Sequence, residues 1–321
     1  MKRLKTALLA LGFALALPVA ALAQAYPSKT ITMVLPFPAG SATDGVARFI
    51  AEELRKSLGQ PVIVENKPGA DGIVAAQHVM RSEPDGYTLF VTTNSTHAVN
   101  PTLYRQLPYD AVDDFTPVGG LIRIMQMLCV RSDFPAQDLA GFIKVAQAST
   151  TPLSFGSGNT SSRVAGELLK HDAKLKLDHV PYRGTPQAVT DLVGGHIKLF
   201  FADPFAAISL INDGKLKALA VTDRTRLPLL PNVPTMIELG YKDFEVVSWV
   251  AAFMPAKADP AIVRRLNTEI NTILARPESK AFIEKMGATL MPTSPAELGA
   301  YVKSEIKLWA RLIEVSGLEK K

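Results

Sequence analysis

Several things are scarce in this chain, and each scarcity closes off a class of function. There is one cysteine, Cys129, so no internal disulfide can form. It sits in the apolar run Ile124-Met125-Gln126-Met127-Leu128-Cys129-Val130, which marks a buried, inert thiol rather than a nucleophile. Histidine is rare, and His78, His97, His171, His179 and His196 lack zinc-protease spacing; they are expected to be structural or surface residues. A phosphate loop with its lysine is missing. Gly156-Ser157-Gly158 lacks the leading glycine of a hydrolase elbow, since Phe155 stands two before Ser157, and Ser161 occupies the third-glycine place of a dinucleotide loop. No Lys/Arg block, fixed-period repeat or low-complexity tract occurs, so no nucleic-acid partner is expected. No metal and no cofactor are expected either.

What is present begins with an address. Lys2, Arg3 and Lys5 precede the uncharged, largely apolar stretch Ala7–Pro18, and Ala21-Leu22-Ala23 has the small-x-small form of a cleavage site. Residues 1–23 read as a signal peptide cleaved after Ala23, with Gln24 opening the mature, periplasmic protein. Gly12, Pro18 and the missing basic stop-transfer flank argue against a membrane anchor. Three of the 35 Lys+Arg lie in the leader, leaving 32 against 30 Asp+Glu, a nearly balanced surface. The remaining residues, about 298, exceed what one core comfortably fills, so two lobes are expected.

The stretch that organises the chain is Ile31-Thr32-Met33-Val34-Leu35 followed by Pro36-Phe37-Pro38-Ala39-Gly40-Ser41-Ala42-Thr43-Asp44. Five apolar, mostly β-prone residues predict a buried strand, and two prolines with a glycine end it. Val46, Ala47, Phe49, Ile50 and Leu54 then mark one face of a helix. A helix start exposes unpaired N–H groups and partial positive charge, a ready seat for a carboxylate. The plainer alternative is that Ser41 or Thr43 only caps the helix, with Asp44 complementing its dipole.

Further strands are predicted at Val62–Val64 and Tyr87–Val91, with a helix over Ile73–Met80 between them and a polar loop from Thr92 to His97 that includes Ser95. This alternation predicts a parallel sheet with ligands beyond its strand ends. Val118–Val130 and Phe244–Val250 are predicted to cross between lobes. Domain 1 then comprises 24–124 and 247–321, and domain 2 comprises 125–246. In the second lobe, strand Leu153–Phe155 leads through the small polar stretch Gly156-Ser157-Gly158-Asn159-Thr160-Ser161-Ser162-Arg163 into a helix at Val164, the opening architecture again. Asp259-Pro260 and Ser294-Pro295-Ala296-Glu297 start two late helices expected to pack on the first lobe.

An ordered set of motifs spans essentially the whole mature chain. It includes Tyr26-Pro27-Ser28-Lys29, Pro36-Phe37-Pro38-Ala39-Gly40, Glu65-Asn66-Lys67-Pro68-Gly69-Ala70, Pro84-Asp85-Gly86-Tyr87, Thr96-His97-Ala98-Val99-Asn100-Pro101, His179-Val180-Pro181-Tyr182 and Pro231-Asn232-Val233-Pro234-Thr235. With these motifs the chain resembles the Bug family, the substrate-binding proteins of tripartite tricarboxylate transport systems. The resemblance implies an α/β, two-lobed periplasmic binding protein fold of type II-like, Venus-flytrap form, with a hinge between the lobes. It implies a monomeric, non-enzymatic receptor that takes a small organic acid and delivers it to membrane permease subunits. The ligand-binding residues it implies are Phe37, Ala39, Gly40, Ser41 and Asp44 from the first loop, Ser95, and Ser157, Gly158, Asn159, Thr160, Ser161 and Ser162 from the second.

The resemblance also implies that Asp203, after the Phe200-Phe201 strand, faces the ligand, with a helix-cap role before Pro204 as the alternative. Arg163 either pairs with a second ligand carboxylate or faces solvent. The chain departs from the family pattern at Gly40-Ser41, where two glycines are usual, and in a second loop shorter than the common form. A periplasmic enzyme acting on a carboxylate, marked by His97 and Asp203 converging, and a ligand-loaded sensor for a membrane receptor remain the alternative functions.

Overall fold

The structure is a computed structural model that describes residues 26–321; the predicted signal peptide and its cleavage site lie outside the described residues. Strands β1 (Ile31–Leu35), β2 (Val62–Asn66), β3 (Thr88–Thr93) and β4 (Phe115–Met125) precede β5 (Met127–Arg131), β6 (Leu153–Ser157), β7 (Leu177–Pro181), β8 (Leu199–Ala202) and β9 (Leu216–Val221), and β10 (Val247–Pro255) and β11 (Ala288–Leu290) follow. They form two sheets, ordered β11-β4-β10-β3-β1-β2 and β7-β6-β8-β5-β9. Gln126 alone separates β4 in one sheet from β5 in the other, and the chain returns to the first sheet along β10. The molecule is a two-lobed α/β fold.

The sheets are not wholly parallel. β1 runs parallel to β2 and β3, but β10 is antiparallel to both β3 and β4. In the second sheet β6 is parallel to β7 and β8, whereas β5 is antiparallel to β8 and β9. The reason is topological: a strand that returns from the other lobe enters from the opposite end, while strands joined by a crossover helix stay parallel.

Local sequence accounts for most element boundaries. Asp138, Asp259 and Ser294 cap the helices Leu139–Ala148, Pro260–Leu274 and Pro295–Ser316, the last through a reciprocal Ser294–Glu297 box. Two expectations need correction. The stretch Ser95–Val99 is one wide helical turn rather than an open loop. The helix expected at Val164 begins at Thr160, because Asn159 caps it and Ser162 completes the box.

The final helix also does more than cover the first lobe. It packs on β4 and on the second-lobe helix Thr160–Asp172. Trp309, Leu312 and Ile313 share one core with Phe90, Phe253 and Trp249 of the first lobe and Phe155, Val164 and Leu168 of the second. Within it the Glu305 carboxylate accepts both indole N–H groups, from Trp249 at 2.9 Å and Trp309 at 3.0 Å. Burial raises the pKa of Glu305, partly offset by those donors.

Candidate functional site in the cleft between the lobes

β1 delivers Phe37 to the cleft, and the loop after it is held from behind. The Asp44 carboxylate, 4 % exposed, accepts the Gly40 N–H at 3.0 Å, Arg48 Nε at 3.0 Å and Asn66 Nδ2 at 3.0 Å. Asn66 also donates to the Phe37 carbonyl at 2.9 Å. Burial would raise the Asp44 pKa, but its three donors outweigh that and hold it below the ordinary value of 3.8. Gly40 has φ +80, a conformation that favours glycine. Ser41 caps the Ala42–Leu58 helix by accepting the Asp44 N–H. This leaves the N–H groups of Ala42 and Thr43 without a partner among the described residues.

β6 delivers the second loop, which holds itself. Ser162 Oγ accepts from Gly158 N at 3.1 Å and Asn159 N at 3.3 Å, and Asn159 Oδ1 accepts the Ser162 N–H at 2.8 Å. The Gly158 N–H is therefore committed within the loop. The free donors at this helix start are the N–H groups of Thr160 and Ser161.

The lobes meet across the cleft. A Cβ on Gly184 would lie 2.5 Å from Pro38 Cγ, and Asn94 Nδ2 of the first lobe donates to Ser161 Oγ of the second at 2.9 Å. Two adjoining cavities remain, and Phe37 and Asn159 form a wall common to both. The larger, about 350 Å³, is lined by Ser95, Ser157, Gly158, Thr160 and Arg163, together with Gly69–Gly72, Tyr104, His179 and Lys321. The smaller, about 30 Å³, lies by the crossing strands and holds room for about two waters. Ser41, Thr43, Gln126, Thr185, Asp203 and Ser248 face it.

Of the residues expected in the site, Phe37, Ser41, Ser95, Ser157, Gly158, Asn159, Thr160 and Asp203 line one cavity or the other. Ala39, Gly40 and Asp44 line neither: the first two are exposed, and Asp44 props the loop. Ser161 and Ser162 also line neither, being spent on the cross-lobe bond and the cap. Asp203 caps Pro204–Asn212 by accepting the Ala206 N–H at 3.2 Å and also lines the small cavity. Burial raises its pKa. Cys129 is fully buried, its thiol pushed up to about 12 by burial and by the Asp203 charge.

Nothing local in the sequence assigns Asp71, Tyr104, His179 or Lys321 to this cavity. Ala70 and Asp71 both adopt positive φ, +47 and +52, between Gly69 and Gly72. The Asp71 carboxylate accepts from Tyr104 Oη at 2.6 Å and pairs with Lys321. Burial would raise its pKa, but these partners outweigh it and lower it. His179, expected to be structural or on the surface, faces this cavity with Nε2 2.6 Å from Ser157 Oγ. Burial, then the charge of Arg163, pull His179 down to about 4, so the ring is neutral at neutral pH. His97 is instead buried among Phe90, Phe115 and Phe253, stacked on the last at 4.0 Å, and does not converge with Asp203.

A family model described as tripartite tricarboxylate transporter family receptor, TctC, matches residues 46–318. The chain belongs to this family. Its members include Bug proteins: BugT of Bordetella pertussis is 33% identical over 313 residues, 96% of this chain and 94% of BugT. Among solved structures, Rpa4515 of R. palustris with adipate has a TM-score of 0.88 at 31% identity, covering 91% of this chain and 98% of the other. MatC of Rhodopseudomonas palustris with bound malate has a TM-score of 0.85 at 33% identity, covering 90% and 100%. The TctC chain described here is thus a solute-binding receptor of periplasmic binding protein fold.

Proposed function

We propose that this TctC-family receptor captures a small organic acid in the cleft between its lobes and passes it to membrane permease subunits of a tripartite transporter. The observation that carries the reading is the pair of helix starts, one per lobe. Ala42 and Thr43 on one side and Thr160 and Ser161 on the other offer unpartnered N–H groups beside adjoining cavities. An anion there satisfies donors and helix dipoles together, without a buried lysine. The larger cavity holds the ligand body, since about 30 Å³ is too little for even a four-carbon acid. The adipate and malate bound by similar proteins support a carboxylate. In this reading residues 1–23 direct export and are removed, the mature receptor is a monomer, and the lobes divide after residues 124 and 246, hinging there.

The Ser157–His179 contact is the one feature that favours an enzyme instead. A histidine at about 4 is a feeble base at neutral pH, and no described carboxylate bonds its other nitrogen. Binding without turnover is the reading adopted.

A thermal-shift screen of mature protein against organic acids tests it, because a ligand specific for the folded state raises Tm. An acid at a hundred times its Kd should raise Tm by several degrees, and Thr160→Val, which removes a buried hydroxyl that has no partner, should reduce that shift while leaving the unliganded Tm unchanged. No response to any acid would sink the proposal, and consumption of the bound acid would replace it with catalysis.

A further inference from the structure

Arg163 is the fourth residue of the Thr160–Asp172 helix, where a positive charge opposes the helix dipole. Its Nε is buried with no hydrogen-bond partner, and among the described residues no carboxylate pairs with its guanidinium. A side chain placed this way is short of a negative partner. The acid that shares its cavity, Asp71, is already committed to Tyr104 and Lys321. The cavity wall thus carries three cations, Arg163, Arg183 and Lys321, against one carboxylate, Asp71, while His179 adds no charge at neutral pH.

We propose that Arg163 is a specificity-determining residue whose guanidinium takes a second acid group of the bound molecule, so that the receptor selects dianions over monoanions. The inference rests on the carboxylate-receptor reading above and names the ligand class within it. A planar guanidinium offers two parallel N–H donors that match a carboxylate. A monoacid leaves that cation unpaired when the cleft closes, whereas a diacid pairs it. The space of about 350 Å³ accommodates both ends of such a molecule.

The test is calorimetric titration of mature protein with straight-chain diacids of four to eight carbons and the phthalate isomers, each compared with its own monoamide. The monoamide keeps length and hydrogen-bonding capacity but removes one charge. Wild type should prefer the best diacid over its monoamide by about ten- to a hundredfold. Arg163→Gln should erase that ratio by weakening the diacid and leaving the monoamide within about twofold, and Arg163→Lys should keep part of it. A wild-type ratio near one overturns the inference without any variant. So does an equal loss for both ligands in Arg163→Gln with an unchanged unliganded Tm. If no acid binds wild type, the receptor reading falls and takes this inference with it; if monoamides bind as well as diacids, only this inference falls.

Discussion

The two loops that face each other across the cleft are written alike and built differently. Each follows a strand, turns through small polar residues and opens a helix. The first is propped from outside: Asp44 and Asn66, twenty-two positions apart, hold Gly40 and Phe37 from behind. The second props itself, with Ser162 and Asn159 closing a box over Gly158. One loop therefore depends on a network elsewhere in its lobe and the other on the five consecutive residues Gly158–Ser162. The same short signature can carry either plan, so the partners behind a loop decide which of its donors stay free.

The sharpest way to break this contrast is to remove the outside prop. Asp44→Ala strips a buried carboxylate from three donors and leaves Arg48 with only the Asn66 side-chain carbonyl oxygen to donate to. The cost should be about 2–4 kcal/mol in urea unfolding, with ligand affinity falling as the Phe37 loop loosens. Because the folded pKa of Asp44 lies below 3.8, its contribution is present above that value and is lost as pH falls through the lower folded pKa. The gap between wild type and variant should be widest near neutral pH and narrow below about pH 4. A gap independent of pH would mean that the ionised carboxylate does not hold this loop.

The second loop should fail through crowding instead. A Cβ on Gly158 would sit 2.4 Å from the Thr185 nitrogen and 2.6 Å from the Gly184 carbonyl carbon, both backbone atoms that cannot swing away. Gly158→Ala should cost about 1–3 kcal/mol, read in the same urea titration, with no change in its pH profile. A variant as stable as wild type would show that the second loop has slack, and the contrast between propped and self-propped loops would lose its basis.

What the sequence disclosed and what it withheld divide along the same line. Capping residues at Asp203, Asp259 and Ser294 are readable because a cap acts within three or four positions of itself. The Asn159–Ser162 box has that spacing too, yet a run of hydroxyl side chains reads as loop, so the apolar pattern places the helix start at Val164, four residues late. Asn66 on Phe37, Tyr104 and Lys321 on Asp71, and His179 on Ser157 leave no trace in local sequence, since each joins residues far apart in the chain that only the tertiary fold brings together. Fold and loop positions follow from local pattern; the electrostatics of the large cavity follow from topology.

The smallest expected effect concerns how the two loops are coupled. Ser161 and Ser162 are neighbours, but Ser162 works within its loop while Ser161 accepts a buried bond from Asn94 across the cleft. Ser161→Ala leaves that amide without its acceptor when the lobes are closed, and water supplies one when they part. Closure should therefore weaken by about 0.5–1.5 kcal/mol, seen as a larger unliganded radius of gyration in small-angle scattering and a ligand affinity reduced about three- to tenfold. Ser162→Ala should act oppositely in kind, lowering stability by about 1 kcal/mol without changing the radius. If both variants leave the radius unchanged, the Asn94–Ser161 bond follows closure rather than favouring it, and the lobes are held instead by the final helix that packs on both.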